Sequence, residues 1–256
     1  MLPYPVATTR TEKLDFIDRI KNMLLDKYSE DIEAIGIYGS IAQEKDGPYS
    51  DIELHVISRD GVTIPGHELI YHPFKLEIAT VQKSDWFEKA SMVDDGWAIK
   101  VGSFLHIIPL YDPNSLFDKT KEMVLTISDE AIEQTIKEFM IWEPYETMGK
   151  IRNSYVTNNL SYVPRAVFDF TWQIAKLIGL INKQHYSTRA VTLEESIARS
   201  IKPKGYTELA KKVISGELSD KEELYQLCEN LWTGINELLE DLGIDYRSKY
   251  NMEDSI

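Results

Sequence analysis

The chain has 256 residues, 43% of them apolar and five of them Trp, which is enough for one large globular domain or two of moderate size. Its formal net charge of −14, without a basic block, argues against DNA or RNA as a partner, because nucleic-acid binding depends on Lys and Arg at phosphates. No run of about 20 apolar residues is present, and residues 1–5 lack the features of a secretory signal, so we expect a cytoplasmic protein that binds no membrane.

The first 125 residues alternate between predicted helices and predicted strands. Thr9-Arg10-Thr11-Glu12 has capping-box spacing and predicts a helix that runs to about Tyr28. A second helix is predicted over residues 84–90. Strands are predicted over residues 32–38, 50–57, 68–71, 74–81 and 104–111, with a hairpin at His72-Pro73 and an edge or bulge at Pro109. The N-terminal part, residues 1–126, is therefore predicted to be an α/β domain.

From Ser128 onward the sequence favours helices only. Ser128 is a predicted N-cap, and the helix that it begins extends towards Asn153 with a kink or break at Pro144. Pro164 predicts the first turn of an apolar helix, and Gly243 predicts the end of the last helix. Further capping boxes are predicted at Thr192–Glu195 and Ser219–Glu222. These patterns predict an antiparallel helical bundle over residues 127–256.

The candidate functional residues of the N-terminal domain lie in two short stretches, Gly39-Ser40 and, after ten residues, Asp51-Ile52-Glu53. Asp51 and Glu53 lie two apart on a predicted strand, so both carboxylates leave the same face. A tight Gly-Ser turn permits close approach of phosphates, and Mg²⁺ is often held by one or two carboxylates together with substrate phosphates. One Cys and five scattered His give no zinc-site spacing. The alternative is a solvated, purely structural strand face.

With these residues in place, the chain resembles the nucleotidyltransferase superfamily that includes DNA polymerase β. More closely, it resembles the aminoglycoside 4′-O-nucleotidyltransferases, or kanamycin nucleotidyltransferases. The resemblance spans nearly the full length and implies an α+β protein, with a polymerase β-like mixed-sheet domain followed by a helical bundle. The stretches that carry it are AIGIYGS at 34–40, DGPYSDIE at 46–53, IPLYD at 108–112, GKIRN at 149–153 and LIGL at 177–180.

The resemblance implies roles for residues of the turn and the strands. Gly39, Ser40 and Ser50 are expected to hold the triphosphate of ATP. Asp51, Glu53 and Glu77 are expected to bind Mg²⁺, and the alternation of residues 74–78 independently places Glu77 on a polar strand face.

The resemblance also implies a general base, Glu146, followed four residues later by Lys150. Residues i and i+4 share a helix face, so both side chains can reach one site. Glu146 is expected to take the proton of the attacking hydroxyl, and Lys150 to offset charge on the α-phosphate. Without the resemblance, this pair is more simply an exposed salt bridge worth ~0.3–0.5 kcal/mol.

An acidic chain suits a cationic acceptor such as an aminoglycoside, which carries several ammonium groups. By resemblance, the expected contacts to the drug are Glu68, Glu77, Glu143 and Glu146, and Thr188 is expected near the nucleotide. Two residues depart from the family pattern. Gln43 replaces an Arg three residues after the turn Ser, and Pro144 stands two residues before the expected base.

The leading hypothesis is an enzyme that transfers AMP from ATP to the 4′-hydroxyl of kanamycin-type antibiotics with release of pyrophosphate, giving resistance. The resemblance further implies a homodimer whose subunits share their active sites. The alternatives are a nucleotidyltransferase that modifies another small hydroxylated acceptor, or a non-enzymatic module that senses nucleotides or neutralises a toxin.

Overall fold

The computed structural model describes residues 5–247, which fold as two compact units. Unit 1 holds the described residues up to Met92 together with Lys100–Ile127, and unit 2 holds Val93–Ile99 together with the described residues from Ser128 onward. The predicted N-terminal domain includes Val93–Ile99, but this segment folds with the helices of unit 2. The domain limits 1–126 and 127–256 stay a prediction, and most of the segment searched for a secretory signal lies outside the described residues.

A five-stranded mixed sheet organises unit 1, with the strand order β3-β4-β2-β1-β5. Strand β2 runs parallel to β4, and the other neighbouring pairs are antiparallel. The strands are β1 (Ile32–Ile37), β2 (Ile52–Ser58), β3 (His67–Tyr71), β4 (Phe74–Gln82) and β5 (Ile108–Tyr111). With the helical region that follows, this sheet confirms the predicted α+β class.

The two faces of the sheet differ because β2 alternates. Ile52, Leu54 and Val56 are fully buried on one face, where they share a core with Phe16 and Ile17 of the first helix. The opposite face carries Glu53 and His55. Further along this face, a second core contains Ile57, Trp86 and Phe117. The carboxylates thus lie at one end of a face whose other end is covered.

The helices occupy both units, and the two predicted in the N-terminal part, up to about Tyr28 and over residues 84–90, are present. In unit 1, β3 and β4 form the predicted hairpin at His72-Pro73, and β5 is an edge strand as Pro109 predicted. The strand predicted over residues 104–111 is wrong in its first half, because residues 102–105 form a helical turn whose Phe104 packs 4.8 Å from Trp86. The helices are α1 (Arg10–Tyr28), α2 (Gly39–Ala42), α3 (Lys83–Ser91), α4 (Trp97–Lys100), α5 (Gly102–Leu105), α6 (Leu116–Leu125), α7 (Asp129–Met140), α8 (Glu146–Val156), α9 (Val163–Ile181), α10 (Thr192–Ile197), α11 (Tyr206–Ser215) and α12 (Lys221–Asp241).

Unit 2 is built around α9, whose Pro164 lies in the first turn as predicted. Most of α9 is buried, including Phe170, Ile174 and Leu177. The described residues from Ser128 onward contain helices and turns without a strand. Among the described residues, none of the helices combines the length and apolar character that crossing a bilayer requires.

Pro144 does not break the helix that contains it. Residues 141–145 form a π-helical segment that joins α7 directly to α8, with Pro144 buried inside it. Proline has no N–H to donate within a helix. A π segment adds one residue to the turn and so shifts the backbone hydrogen-bond pairing at this position. Of the predicted kink or break, the break does not occur, and Glu146 follows the segment as the first residue of α8.

Several predicted helix ends match the structure. Thr9 and Glu12 form the reciprocal capping box of α1, Ser128 caps α7, and Gly243 has a φ of +72° after α12. Two predicted boxes are wrong. Thr192 lies inside α10, where its hydroxyl donates to the Thr188 carbonyl, and α12 is capped by Asp220.

Candidate active site

The Gly39-Ser40 turn follows the end of β1 and lies against the Glu53 carboxylate. Gly39 has a φ of +69°, and a Cβ on it would lie 1.7 Å from Glu53 Oε2. The backbone N–H of Ser40 hydrogen-bonds the same carboxylate. A side chain at position 39 is thus excluded both by the backbone conformation and by space. The turn and the carboxylate form one structural element.

Three carboxylates lie beside this turn: Asp51, Glu53 and Glu77. Asp51 directly precedes β2, and the parallel register of β2 and β4 places Glu53 opposite Glu77. Burial, together with the negative charges of Asp51 and Glu77, raises the pKa of Glu53 to about 7. A raised carboxyl pKa marks a place where negative charge is crowded and poorly solvated. A cation bound here would relieve that repulsion.

Tyr38, which sequence reasoning missed, donates its hydroxyl to Glu77 Oε1 at 2.9 Å. Burial, followed by this hydrogen bond and the charges of Glu77, Glu53 and Asp51, raises the pKa of Tyr38 well above its ordinary value. Its ring stacks on His55 with centroids 3.8 Å apart. Burial lowers the pKa of His55 to about 3, so this imidazole is neutral at ordinary pH.

Lys75, a second residue that was missed, bridges two of the predicted acidic residues. Its ammonium lies 3.2 Å from Asp51 and 3.2 Å from Glu68. Hydrogen bonds to Glu68 and Asp51 raise the pKa of Lys75, which keeps it charged. Glu68 is opposite Glu77 in the β3–β4 register and is largely exposed. The predicted drug contact Glu68 therefore lies beside the predicted metal ligands, joined to them by Lys75.

The fit of a divalent cation depends on the number of protein ligands. Within residues 5–247 no three His, Cys, Asp or Glu side chains are grouped as ready metal ligands. Mg²⁺, however, is often bound by one or two carboxylates and completes its shell with water and substrate phosphates. Asp51 and Glu53 supply such a pair of oxygen donors, and burial next to the charges of Asp51 and Glu77 raises the pKa of Glu53, so a cation there would be favourable. The donor set fits Mg²⁺.

The loop between the turn and Asp51 is held by helix α1. The ammonium of Lys13 is fully buried and lies 3.1 Å from Asp46 and 2.5 Å from the Gly47 carbonyl. Arg10 also pairs with Asp46 and donates to the Ile41 carbonyl. Removing one partner of a buried ion pair leaves an uncompensated charge, which typically costs ~3–5 kcal/mol. This clamp sets the path of the loop that ends at Ser50.

Ser50 and Ser40 differ in how their hydroxyls are used. The Ser50 hydroxyl accepts a hydrogen bond from the Gly47 N–H at 3.0 Å, so its proton can still be donated to a ligand. Ser40 is half-buried in the first turn of α2. Both hydroxyls belong to the segment between β1 and β2, on either side of the clamped loop.

In unit 2, Glu146 and Lys150 form an i,i+4 ion pair with Nζ and Oε1 2.7 Å apart. The two side chains are 58% and 55% exposed. The hydrogen bond and charge of Glu146 raise the pKa of Lys150. Taken by itself, this geometry equals that of an ordinary surface pair. Its exposed carboxylate is accessible to a ligand.

Glu143 and Thr188 have surroundings of their own in unit 2. Lys176, itself 8% exposed, lies 3.0 Å from Glu143 and also pairs with Asp95. Its ammonium lies 4.5 Å from the centroid of the Phe139 ring. Glu143 is thus already neutralised by a buried cation, unlike Glu146. Thr188 precedes a short 3₁₀ turn and accepts the Thr192 hydroxyl through its carbonyl.

Comparisons with known proteins agree with this fold. A nucleotidyltransferase-like protein from Exiguobacterium sibiricum superimposes with a TM-score of 0.56 at 14% identity, over 88% of this chain and 75% of that one. The likeness shows that the two chains share a fold. Residues 114–245 match the family model of the KNTase C-terminal domain.

Two curated relatives give the family. Proteins named aminoglycoside nucleotidyltransferase (4′), from Staphylococcus aureus and from a Bacillus species, are each 34% identical to this chain over 239 residues. Each match covers 93% of this chain and 94% of the relative. The chain belongs to the aminoglycoside nucleotidyltransferase (4′) family.

Proposed function

We propose that this protein transfers AMP from ATP to the 4′-hydroxyl of a kanamycin-type aminoglycoside, with Mg²⁺, and releases pyrophosphate. The observation that carries the proposal is the contact between the Gly39-Ser40 turn and Glu53, with Asp51 and Glu77 beside it. A turn suited to phosphates, adjoining crowded carboxylates suited to a cation, fits a metal–triphosphate substrate. The names of the 34% identical relatives support the acceptor.

The nucleotide is bound by unit 1 in this proposal. The hydroxyls of Ser40 and Ser50 donate to phosphate oxygens, and the backbone at Gly39 permits those oxygens to approach closely. Asp51 and Glu53 hold Mg²⁺, with Glu77 as a third candidate ligand. A cation held by these carboxylates would supply neutralisation of the triphosphate's negative charge. Thr188 is a candidate contact to the nucleotide from unit 2.

The transfer itself requires a base and a compensating charge. Glu146 takes the proton of the 4′-hydroxyl as its oxygen forms a bond to the α-phosphorus. The bond from that phosphorus to the bridging oxygen breaks, and pyrophosphate leaves with the electron pair. Lys150, whose raised pKa keeps it protonated, offsets charge on the α-phosphoryl oxygens.

The acceptor is a polycation, and its ammonium groups suit the exposed carboxylates. Glu68 and Glu77 are the candidates from unit 1, and Glu146 from unit 2. Glu143 is a weaker candidate because Lys176 already neutralises it. By family resemblance we further propose a homodimer with shared active sites, working in the cytoplasm where ATP is available.

The decisive experiment incubates the protein with ATP, Mg²⁺ and kanamycin and looks for an added AMP by mass spectrometry. We expect mono-adenylylated kanamycin and pyrophosphate, with neither formed when EDTA is present. Fragmentation, or kanamycin analogues lacking the 4′-hydroxyl, locates the modified oxygen. A folded protein that leaves kanamycin unmodified but adenylylates a lincosamide or a simple sugar alcohol would contradict the acceptor while keeping the chemistry.

A further inference from the structure

Tyr38 is placed among the site carboxylates without a role in the chemistry described above. It follows β1 directly, and its backbone N–H donates to the Glu53 carbonyl at 3.1 Å, which fixes the main chain beside β2. Its hydroxyl donates to Glu77 Oε1 at 2.9 Å. One tyrosine therefore connects the turn, the strand that carries Glu53 and the carboxylate of Glu77.

The Tyr38 ring is held by an aromatic stack behind the site. The His55 ring lies nearly parallel to it, at a centroid distance of 3.8 Å and an angle of 10°. His55 in turn meets the edge of Trp86 at 4.7 Å and is itself half-buried. The His55 Nε2 has no hydrogen-bond partner among the described residues, so the imidazole acts as a packing surface. The stack leaves the Tyr38 ring little freedom to rotate.

We propose that Tyr38 is a positioning residue whose hydroxyl holds Glu77 by one oxygen and so presents the other oxygen to a bound cation. The inference rests on the proposed function, because the cation belongs to that reaction. A carboxylate that is free to rotate must lose side-chain entropy when it binds a ligand, whereas a carboxylate already held by a donor loses less. Hydrogen-bonded partners of metal-binding carboxylates typically contribute ~10–100-fold in affinity or activity.

Two cations of the proposed reaction could meet the second oxygen of Glu77. One is Mg²⁺, because Glu77 lies opposite Glu53 across the β2–β4 pair. The other is an ammonium group of the acceptor, because Glu77 also lies opposite the exposed Glu68 across the β3–β4 pair. Either cation would be bound by the same group, an oriented carboxylate oxygen of Glu77. Kinetics with each component varied separately distinguishes them.

The test substitutes Tyr38→Phe, which removes the hydroxyl and keeps the ring on His55. We expect kcat/KM to fall ~10–100-fold, while the KM for ATP at saturating Mg²⁺ and the melting temperature stay close to those of the wild type. A higher Mg²⁺ concentration for half-maximal rate identifies the metal as the cation. A higher KM for kanamycin with unchanged Mg²⁺ dependence identifies the ammonium group. A folded variant with wild-type kcat/KM, a wild-type Mg²⁺ concentration for half-maximal rate and a wild-type KM for kanamycin would overturn the proposal.

The matched control is Tyr71→Phe. Tyr71 is 53% exposed on β3, where its ring stacks on Phe16, so the same loss of a hydroxyl occurs outside the carboxylate group. We expect its kinetics to remain within about twofold of wild type, an energy below 0.5 kcal/mol. An equal loss in both variants would mean that removing any strand tyrosine hydroxyl disturbs the sheet, which would also overturn the assignment.

A double-variant cycle separates positioning from general stability. If Tyr38 acts through Glu77, then Tyr38→Phe added to Glu77→Gln lowers kcat/KM by less than about threefold further, because the oriented charge is already lost. Fully multiplicative losses would show that Tyr38 acts by another route and would overturn the proposal. This readout does not depend on which cation Glu77 meets.

Direct binding measurements test the positioning role of Tyr38 separately from the proposed AMP transfer. Mn²⁺ titration by electron paramagnetic resonance and kanamycin titration by calorimetry are run on wild type, Tyr38→Phe and Glu77→Gln. Binding that weakens in both variants supports the positioning role even if kanamycin is not adenylylated, which would overturn only the proposed function. If the wild type binds neither cation, Glu77 presents its oxygen to neither, and the positioning role falls as well.

Discussion

The Glu53 region and the Glu146–Lys150 pair are expected to act in one reaction, but the chain builds them differently. Glu53 contacts the Gly39-Ser40 turn and lies close to Asp51 and Glu77, and burial with those charges raises its pKa to about 7. Glu146 and Lys150 are joined by one helical turn and are both more than half exposed. The sheet site is strained electrostatically before any ligand binds, whereas the helix pair is an ordinary surface feature.

The difference shows that the two groups of residues are brought together by different parts of the fold. In unit 1, the register of β2 and β4 places Glu53 opposite Glu77, close to Asp51, and a cation bound there would relieve the repulsion between these charges. In unit 2, helix geometry alone brings Glu146 to Lys150, and their special role depends on the ligand that meets them. Substitutions should therefore affect stability and activity together in the sheet site, and activity alone at the helix pair.

The largest expected effect comes from the helix pair. Glu146→Gln removes the proposed base and should lower kcat by ~10²–10⁴-fold. The free energy of unfolding should change by less than ~0.5 kcal/mol, because the lost ion pair is exposed. Steady-state kinetics measures the first effect and chemical unfolding the second. The matched control is Glu133→Gln, which removes a similar i,i+4 partner of Lys137 and should leave activity unchanged. Full turnover by Glu146→Gln would exclude it as the base.

Next in size is a change at the turn. Gly39→Ala introduces a Cβ at 1.7 Å from Glu53 Oε2 in a left-handed backbone conformation. A displacement of the site by about 1 Å can cost ~10²-fold in rate, and backbone strain adds ~1–3 kcal/mol of destabilisation.

The control for this change is Gly61→Ala, at a φ of +81° with open space around it. It introduces similar backbone strain without a clash at Glu53, so it should lose stability and keep activity. If both alanine variants retain activity, the contact between turn and carboxylate is not needed for the reaction.

Glu53→Gln should lower activity by ~10–100-fold and yet raise stability at high pH. The pKa of Glu53 is raised from 4.5 to about 7 in the folded protein, so folding takes up a proton between these values. Stability therefore falls as pH rises from 4.5 to 7, and the full penalty persists above pH 7. Gln carries no charge, so the variant should exceed wild type by on the order of 1–2 kcal/mol at pH 8.

The measurement for Glu53→Gln is chemical unfolding in EDTA at pH 8 and at pH 4.5. The stabilisation should nearly vanish at pH 4.5, where Glu53 is protonated in the folded wild-type protein. A variant that is less stable than wild type at pH 8 would contradict the assigned charge crowding.

Much of this architecture was predictable because it depends on local patterns. The alternation of residues 50–57 correctly placed Asp51 and Glu53 opposite Ile52 and Leu54, and Ser128 and Gly243 correctly marked helix ends. The roles of the site residues stay a prediction. The π segment around Pro144 was not predicted, because a segment of this kind that accommodates proline leaves no distinctive sequence pattern.

The residues that sequence reasoning missed share a dependence on distant partners. Tyr38 ends an apolar run and resembles a core residue, and only the β2–β4 register brings Glu77 to its hydroxyl. Lys13 lies among charged residues of α1 and yet is fully buried against Asp46. It was missed because this partner is 33 residues away in the sequence. A parallel strand pair has no sequence-local turn that fixes its register. Such contacts follow from tertiary structure alone.

The smallest expected effect tests how closely ligands approach the helix pair. Gly149 lies between Glu146 and Lys150 in α8, and a Cβ there meets no described atom within 4 Å. Alanine in a helix interior is favoured over glycine by ~0.8–1.0 kcal/mol. Gly149→Ala should therefore stabilise the protein by about that amount and leave kcat and both KM values unchanged, as thermal unfolding and kinetics would show. A loss of activity in the stabilised variant would mean that the acceptor or the nucleotide approaches the backbone at Gly149. The helix pair would then depend on a close fit, as the sheet site does, and the contrast between the two sites would no longer hold.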